Sequence, residues 1–195
     1  NIDAFVAISG AIKKMLLDYG VSPEKVHLVR SAVGDSDVKR SSVNRDYVVI
    51  GNASALTSQK GHDYLIRACR ILADKNLKFK CRIAGDGPDE SMLCGLIKEL
   101  KLDAYVELVG RVHDVPKFLS ELDVLCVPSR NEGLGTILLE GVFAGCALVG
   151  AAVGGIPEII HDHETGLLVP ADNVPELARA LEEVISKPDL RARLV

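Results

Sequence analysis

Short apolar runs rich in β-branched residues alternate along the chain with longer stretches in which apolar residues recur at helical spacing. The helical spacing is clear in Gly61–Lys75, where Leu65, Cys69 and Leu72 fall on one face. We predict strands over Ala4–Ile8, Val26–Val29, Tyr47–Ile50, Phe79–Ala84, Val106–Val109, Val124–Val127, Ala147–Gly150 and Leu167–Val169. We predict helices over Gly10–Tyr19, Gly61–Lys75, Asp89–Leu100, Val115–Glu121, Gly135–Ala144 and Val174–Ser186.

The order of these elements predicts the fold class. Strands this apolar, each followed by a helix, are typical of a parallel sheet that is covered on both faces. Right-handed crossovers then give an α/β, Rossmann-like, doubly wound sheet, with a ligand site at the carboxyl ends of its strands. The last six strands suffice for a complete six-stranded parallel sheet.

One segment interrupts the alternation. Residues 31–45 read SAVGDSDVKRSSVNR, which is polar, serine-rich and without periodicity, as expected of a linker. We therefore predict that residues 1–45 are the tail of a preceding domain with its linker, and that residues 46–195 form a domain of their own. Because the chain starts at Asn1 without a methionine, we expect it to be a piece of a longer protein.

Composition narrows the classes of protein to consider. Among 195 residues, 48% are hydrophobic and 26% charged, as in soluble globular proteins. The formal net charge of −4, with both signs interspersed, argues against a nucleic-acid partner. The longest apolar stretch, Thr136–Ile156, is interrupted by Glu140 and predicts a helix, a turn and a strand rather than a membrane span.

The cysteines point to a reducing compartment. There are five, an odd number without a C-x-x-C pair, and four of them lie in apolar runs. Buried free thiols are therefore expected rather than a disulfide framework. We expect a cytoplasmic protein.

The densest candidate chemistry lies in PSRNEGLGTILLE, residues 128–140, which follows a predicted buried strand and begins a helix. Gly133 and Gly135 permit close approach of a ligand to the backbone, and a helix start offers unpaired N–H groups. Helical side chains lean toward the N-terminus, so Glu140 can reach the cavity that Glu132 faces. Two carboxylates beside such amides suit a ligand with hydroxyl groups at both ends and a diphosphate between them.

Plainer interpretations exist for these and other signals. Acidic residues are common near helix starts because they favour the helix dipole. Gly85-x-Gly87 lacks the third glycine of a dinucleotide fingerprint, and no Walker A spacing is present. His161 and His163 are more typical of surface histidines than of a metal site. Glu158 is expected to cap the helix start that follows Pro157.

Several motifs together resemble the retaining glycosyltransferases of the GT-B architecture, the large family 4, or group 1, that includes mannosyl- and glucosyltransferases. The resemblance covers essentially the whole chain. Its carriers are the E-x7-E element Glu132–Glu140, GGIPEII at 154–160, TGLLVP at 165–170, Gly85-Asp-Gly-Pro88, Leu108-Val-Gly110 and Lys60-Gly61-His62. Residues 46–195 are then expected to be the C-terminal, donor-binding domain, and residues 1–45 the tail of the N-terminal acceptor domain and the interdomain linker.

The resemblance also implies residue roles around the donor. Glu132 contacts the sugar and Glu140 holds the ribose hydroxyls, while Lys60 neutralises the diphosphate. The amides of Gly133, Leu134 and Gly135 line the sugar and phosphates. Members of the family need no metal, so neither a metal nor a cofactor is expected.

Further positions are expected at the nucleotide, and one departs from the family. The resemblance places Arg111 beside the base and the loop of Gly85 and Asp86 near the nucleotide. The family usually has an arginine where this chain has Ala55. Lys60 is then expected to be the cation on the phosphates, with Arg130 as a possible substitute.

The function implied is transfer of a hexose from a nucleotide-diphosphate sugar to a hydroxyl of a glycan, lipopolysaccharide or lipid-linked acceptor, with retention, in cell-envelope polysaccharide synthesis. The acceptor, and any contact with the inner membrane face, would belong to the other domain. Two alternatives stay open. One is a binding module without chemistry, although such modules usually stack sugars on aromatic residues and this chain has no Trp. The other is another GT-B enzyme, such as a sugar-nucleotide epimerase or a phosphorylase.

Overall fold

The computed structural model describes residues 2–34 and 45–195, which form two parallel sheets. The smaller sheet pairs β1 (Phe5–Ala7) with β2 (Val26–Leu28). The larger sheet has the strand order β5-β4-β3-β6-β7-β8, and all of its neighbours are parallel. Its strands are β3 (Val48–Ala53), β4 (Phe79–Ala84), β5 (Val106–Gly110), β6 (Val124–Val127), β7 (Ala147–Ala151) and β8 (Leu167–Val169). The predicted six-stranded parallel sheet is confirmed.

Seven α-helices lie in the described ranges. They are α1 (Gly10–Asp18), α2 (His62–Asp74), α3 (Glu90–Glu99), α4 (Val115–Ser120), α5 (Thr136–Phe143), α6 (Val174–Ser186) and α7 (Pro188–Arg193). Three short 3-10 helices cover Pro23–Lys25, Ser58–Lys60 and Ile156–Glu158. The sequence patterns predict the first six helices, whereas α7 is too short to show a periodicity. Most of the predicted linker, residues 35–44, lies outside the described residues, and the domain boundary stays a prediction.

Helices cover both faces of the large sheet. On one face, apolar side chains of α2, α3 and α6 form a core with strand residues such as Ile50, Ile83 and Val149. On the other face, α4 and α5 pack with Leu125, Leu148 and the segment around Ile156. Because strands buried on both faces require apolar residues at nearly every position, this arrangement explains the continuous apolar runs of the sequence.

The strand order places a crevice in the middle of the sheet. β3 and β6 are neighbours in space, but the chain leaves β3 toward β4 on one side and leaves β6 toward β7 on the other. Their following loops therefore diverge, and ligands of doubly wound sheets bind in such a crevice at the carboxyl ends of the strands. The loop after β3 and the loop after β6 carry Lys60 and Glu132.

The cysteines and the apolar helices bear on two expectations from the sequence, buried thiols and no membrane span. Cys69, Cys81, Cys126 and Cys146 are buried thiols, as predicted, and Cys94 is exposed. Burial raises the pKa of the Cys126 thiol well above its ordinary value. Within residues 2–34 and 45–195, none of the helices is both long and apolar enough to cross a bilayer.

Candidate functional site

Lys60 and Glu132 form an ion pair at the crevice. Lys60 Nζ donates to Glu132 Oε2 at 2.7 Å, and the two side chains are only 24% and 14% exposed. Ser129 Oγ donates to the same carboxylate oxygen at 3.3 Å. Gly61, with φ of 69°, lets the two loops meet here, because a Cβ at this position would lie 2.1 Å from the Pro128 carbonyl oxygen.

Further hydrogen bonds join the same two loops. The Arg130 N–H donates to the Gln59 carbonyl at 2.8 Å. In return, Gln59 Nε2 donates to the Asn131 carbonyl at 3.0 Å. The pair of Lys60 and Glu132 is therefore held between loops that are already joined through their backbones.

Arg130 is committed to supporting these loops. Its guanidinium donates to both carboxylate oxygens of Asp63, at 2.9 Å each, and it stacks on the Tyr64 ring at 3.8 Å from the centroid. It also donates to the Tyr64 hydroxyl at 2.6 Å, to Asp172 at 3.1 Å and to the Ser58 carbonyl. The side chain does not line the cavity described below, so the geometry gives no support to the expectation that Arg130 substitutes for a phosphate-binding arginine.

The start of α5 presents free backbone donors. Gly135 precedes the helix with φ of 80°, and no side chain caps the N-terminus. Within the described part of the chain, the N–H groups of Leu134, Gly135, Thr136 and Ile137 have no acceptor. Such donors at a helix start, reinforced by the helix dipole, are suited to bind an anion.

A cavity of about 300 Å³ lies at this point. It is lined by Asn52, Ala53, Ser54, Ala55, Lys60, Val127, Ser129, Glu132, Gly135, Thr136, Ile137 and Glu140. The structure thus brings together Lys60, Glu132, Gly135 and Glu140 in one lining, which does not include Gly133 or Leu134. Among the described residues of the lining, Lys60 is the cation, and Ala55 stands at the position where the resemblance leads us to expect an arginine.

Glu140 has an unusual environment for a carboxylate. It is partly buried on α5, and in the described ranges no hydrogen-bond donor or cation contacts it. Burial raises the pKa of this carboxyl. A partly buried carboxylate without donors is stabilised when a ligand supplies hydroxyl groups that donate hydrogen bonds to it.

The loop after β4 packs beside the cavity without lining it. A Cβ at Gly85 would lie 1.9 Å from the Ser54 carbonyl oxygen, so glycine is required for packing there. The Asp86 carbonyl accepts from the Leu56 N–H at 2.7 Å. Arg111 and Asp86 form an exposed ion pair with 3.9 Å between Nη1 and Oδ2. Gly85, Asp86 and Arg111 therefore lie on neighbouring loops, and their expected role at the nucleotide stays a prediction.

Sequence reasoning missed a polar network that reaches from the wall of the cavity, at Asn52 and Ser54, to the buried His62. Asn52, near the end of β3, donates from Nδ2 to the Cys126 carbonyl of β6 at 2.8 Å. Its Oδ1 accepts from Ser54 Oγ at 2.7 Å and lies 3.0 Å from His62 Nε2. The network therefore joins the two central strands where their backbone pairing ends. A polar residue inside an apolar strand, such as Asn52, is the signal that could have revealed it.

His62 carries no charge in this network. Its side chain is buried, and burial lowers the pKa of His62 from 6.5 to about 4. Since Asn52 Oδ1 can only accept, His62 Nε2 is the protonated nitrogen, and Nδ1 is buried without a hydrogen-bond partner among the described residues.

The glycine pair after β7 supports the loop that carries Glu132. A Cβ at Gly154 would lie 1.6 Å from the Glu132 carbonyl oxygen, so the two loops are in direct contact. The Gly155 N–H donates to this same carbonyl at 3.3 Å. The first two residues of the GGIPE motif therefore pack directly against the backbone of Glu132, the first residue of the E-x7-E element.

The expectation for Glu158 is wrong. It ends a 3-10 helix, Ile156–Glu158, and makes no cap for it. Its carboxylate instead accepts from the Gly10 and Ala11 N–H groups at the start of α1, at 3.0 Å each. The cap is therefore made for a helix nearly 150 residues away, which local sequence cannot indicate.

The histidines after the glycine pair are exposed. His161 lies 3.9 Å from Glu164, and His163 lies 3.9 Å from Asp162. Across residues 2–34 and 45–195, His, Cys, Asp and Glu side chains form no cluster of three that could hold a metal ion.

Comparisons with known proteins give the family. Residues 35–195 match the family described as Glycosyl transferases group 1. The chain is 31% identical to a putative colanic acid biosynthesis glycosyltransferase, WcaL, of Salmonella typhimurium, covering 93% of this chain and 47% of that protein. It is 32% identical to a D-inositol 3-phosphate glycosyltransferase of Saccharomonospora viridis, covering 90% and 46%. The chain thus spans about half the length of these curated relatives.

A solved structure shows the same fold. HepE of Anabaena, in complex with UDP and glucose, superimposes with a TM-score of 0.89 at 21% identity, covering 98% of this chain and 56% of that one. The six-stranded parallel sheet matches the α/β domain of GT-B glycosyltransferases. With the family match over most of its length, this chain belongs to the glycosyl transferases of group 1.

Proposed function

We propose that this chain is the donor-binding part of a retaining glycosyltransferase, which moves a hexose from a nucleotide-diphosphate sugar to a hydroxyl acceptor. The observation that carries the proposal is the lining of the crevice cavity, where free amides, one lysine and two carboxylates face one space. The complex of HepE with UDP and glucose supports a donor of this class. The acceptor would be held by a further part of the protein, which would also make any contact with a membrane.

The free N–H groups at the start of α5 are suited to the diphosphate. Oxygen atoms of a phosphate accept hydrogen bonds from such groups, and the helix dipole adds to the attraction. Lys60 supplies the full positive charge. Glu132 is paired with this charge at 2.7 Å. Donor binding would replace this carboxylate with a phosphate as the partner of Lys60 and free Glu132 for the sugar hydroxyls.

Glu140 is suited to the ribose. Its carboxylate lacks a donor among the described residues, and its pKa is raised by burial. Two vicinal hydroxyls would donate to the two oxygens and compensate the lost hydration of the charged form. The nucleoside would then lie along the first turns of α5, with the diphosphate at its N-terminus.

Catalysis follows from where negative charge develops. As the bond to the sugar breaks, charge builds on the leaving phosphate, which faces the α5 amides and Lys60. These groups stabilise the transition state more than the ground state, and they replace a metal ion in this proposal. In front-face attack the departing phosphate oxygen takes the proton of the acceptor hydroxyl, so the new bond forms on the face from which the phosphate leaves and the anomeric configuration is retained.

Calorimetry tests the proposal. UDP, GDP, ADP and their sugar conjugates are titrated into the chain with and without a chelator. We expect at least one nucleoside diphosphate to bind whether or not the chelator is present. Lys60→Ala should weaken that binding about tenfold or more, because hydrogen bonds to charged groups are worth about 1.5–3 kcal/mol.

Lys78→Ala is the matched control, because Lys78 is ion-paired with Asp46 at an exposed place outside the cavity lining. It should leave the affinity unchanged. Wild-type affinity in Lys60→Ala would remove Lys60 from the site, and chelator-sensitive binding would contradict the metal-free reaction. Absence of binding by all three nucleotides and their conjugates would overturn the proposal. Undiminished affinity in Glu140→Gln would count against the ribose assignment.

A further inference from the structure

A serine from the first thirty residues contacts the proposed donor loop. Ser9 lies between β1 and α1 and is fully buried. Its Oγ accepts from the Ile12 N–H at 3.1 Å, which caps α1, and donates to the Gly133 carbonyl at 2.6 Å. The second bond crosses 124 positions in sequence and reaches the loop between Glu132 and α5.

This bond fixes the orientation of one peptide plane. In a trans peptide the C=O and the N–H of the next residue point in opposite directions. With the Gly133 carbonyl held by Ser9, the Leu134 N–H must point away from Ser9. Leu134 carries one of the free N–H groups before α5, so Ser9 determines the direction of a donor that it does not touch.

The loop needs such an external restraint. Rotation of this peptide changes the ψ angle of Gly133, and glycine permits backbone conformations that other residues resist, so Gly133 by itself restrains the peptide only weakly. The preceding peptide is held separately, since the Glu132 carbonyl accepts from the Gly155 N–H. Two successive carbonyls are thus fixed, one by the loop after β7 and one by Ser9.

Glu158 holds Ser9 in place. Its carboxylate accepts from the N–H groups of Gly10 and Ala11, the two residues after Ser9, and Arg30 lies 3.8 Å away. The backbone hydrogen bonds lower the pKa of Glu158. Since Glu158 follows the Gly154–Gly155 pair, one short segment supports the donor loop both directly and through Ser9.

We infer that Ser9 is a positioning residue for the donor diphosphate, which directs the Leu134 N–H toward the phosphate. The inference rests on the proposed function. It means that residues 2–30 contribute to donor binding, although none of these described residues lines the crevice cavity.

The test measures nucleotide affinity and the Leu134 amide in the whole chain. Binding of UDP, GDP and ADP is measured by calorimetry, and the Leu134 amide is followed by proton–nitrogen NMR. In the wild type, the nucleotide that binds should shift the Leu134 amide proton strongly. Ser9→Ala should weaken binding about fivefold, as expected for loss of one positioned hydrogen bond, and reduce that shift.

Three further variants separate positioning from stability. Ser9→Asp keeps a side-chain acceptor for the α1 cap but cannot donate to Gly133, so it should bind as weakly as Ser9→Ala. Ser9→Thr keeps both functions and should restore affinity. Asn173→Ala removes the cap of α6, which accepts from the Glu176 N–H, and should lower thermal stability without changing affinity.

The outcomes distinguish this inference from the proposed function. Failure of the wild type to bind any of the three nucleotides would overturn both. Normal affinity in Ser9→Ala or Ser9→Asp, with nucleotide bound by the wild type, would overturn the inference alone. If neither variant folds, the wild type still tests the inference. An unchanged chemical shift of the Leu134 amide proton at saturating nucleotide would exclude the proposed contact.

Discussion

The two sheets of this chain are stabilised in different ways. In the six-stranded sheet every residue of β6 and β7 is buried, and helices cover both faces. In the two-stranded sheet only Ala7 and Val26 are buried, and the Val6 side chain is 63% exposed. The large sheet therefore gains its stability from apolar burial, and the small one cannot.

The small sheet is held through the candidate site instead. A two-stranded sheet is at best marginal alone, and α1 is the helix that packs on it. The attachments to the part that contains the large sheet include the bond from Ser9 to Gly133 and those from α1 to Glu158. The segment before the linker is therefore attached through polar contacts at two places, the Gly133 carbonyl in the loop proposed to bind the donor and the Glu158 carboxylate after β7.

Truncating one apolar side chain in each sheet should give the largest difference between the two sheets in the free energy of unfolding. Leu125 in β6 is fully buried and packs closely on α5, where a Cβ at Gly141 would lie 2.4 Å from it. Leu125→Ala should lower the free energy of unfolding in urea by about 3–5 kcal/mol, because it removes apolar contacts and leaves a cavity. Val6→Ala in β1 should change it by less than about 0.5 kcal/mol. Equal losses in the two variants would contradict the comparison.

A pH titration should give the next largest effect, through His62 beside the large sheet. The unfolded chain takes up a proton at His62 near pH 6.5, whereas the folded chain does so only near pH 4. Between these values the unfolded state binds more protons, so the free energy of unfolding falls as the pH falls. The loss attributable to His62 should be on the order of 3 kcal/mol across this range.

His62→Gln should remove this loss from the urea-unfolding curves measured between pH 7 and pH 4. His27→Gln is the matched control in the small sheet, since His27 in β2 is exposed. It should leave the pH dependence as in the wild type. The same pH dependence in His62→Gln and in the wild type would show that the buried imidazole is not held neutral.

The same contrast explains what could be predicted from sequence. The strands of the large sheet follow from runs that are apolar because both faces are covered. Yet β3 is predicted to end at Ile50 and extends to Ala53. Gly51 and Asn52 look unlike a strand, but the backbone pairs with β4 up to Ala53, and the Asn52 side chain bonds to β6, 74 positions away.

Some features of the candidate site could likewise be predicted from the sequence, and others could not. The placement of Glu132, Gly135 and Glu140 in one cavity follows from a strand, a loop and a helix that are contiguous in sequence. The partners of Arg130 and Glu158 do not, because they come from distant loops that the fold brings near. A charged residue in a loop can serve a ligand or a neighbouring loop, and only the folded chain shows which of these it contacts.

The smallest effect should come from weakening the attachment of the small sheet. Glu158→Gln keeps one side-chain acceptor at the start of α1 but loses the charge, and should lower the protection of the Gly10 and Ala11 amides against hydrogen exchange by about 1 kcal/mol. Since the pKa of Glu158 is lowered in the folded chain, its stabilising contribution is present above the ordinary carboxylate pKa and is lost as the pH falls through the folded value. Glu164→Gln, at an exposed glutamate, is the control and should change neither amide. Unchanged protection in Glu158→Gln would mean that apolar contacts, rather than this carboxylate, attach the first thirty residues to the donor loop.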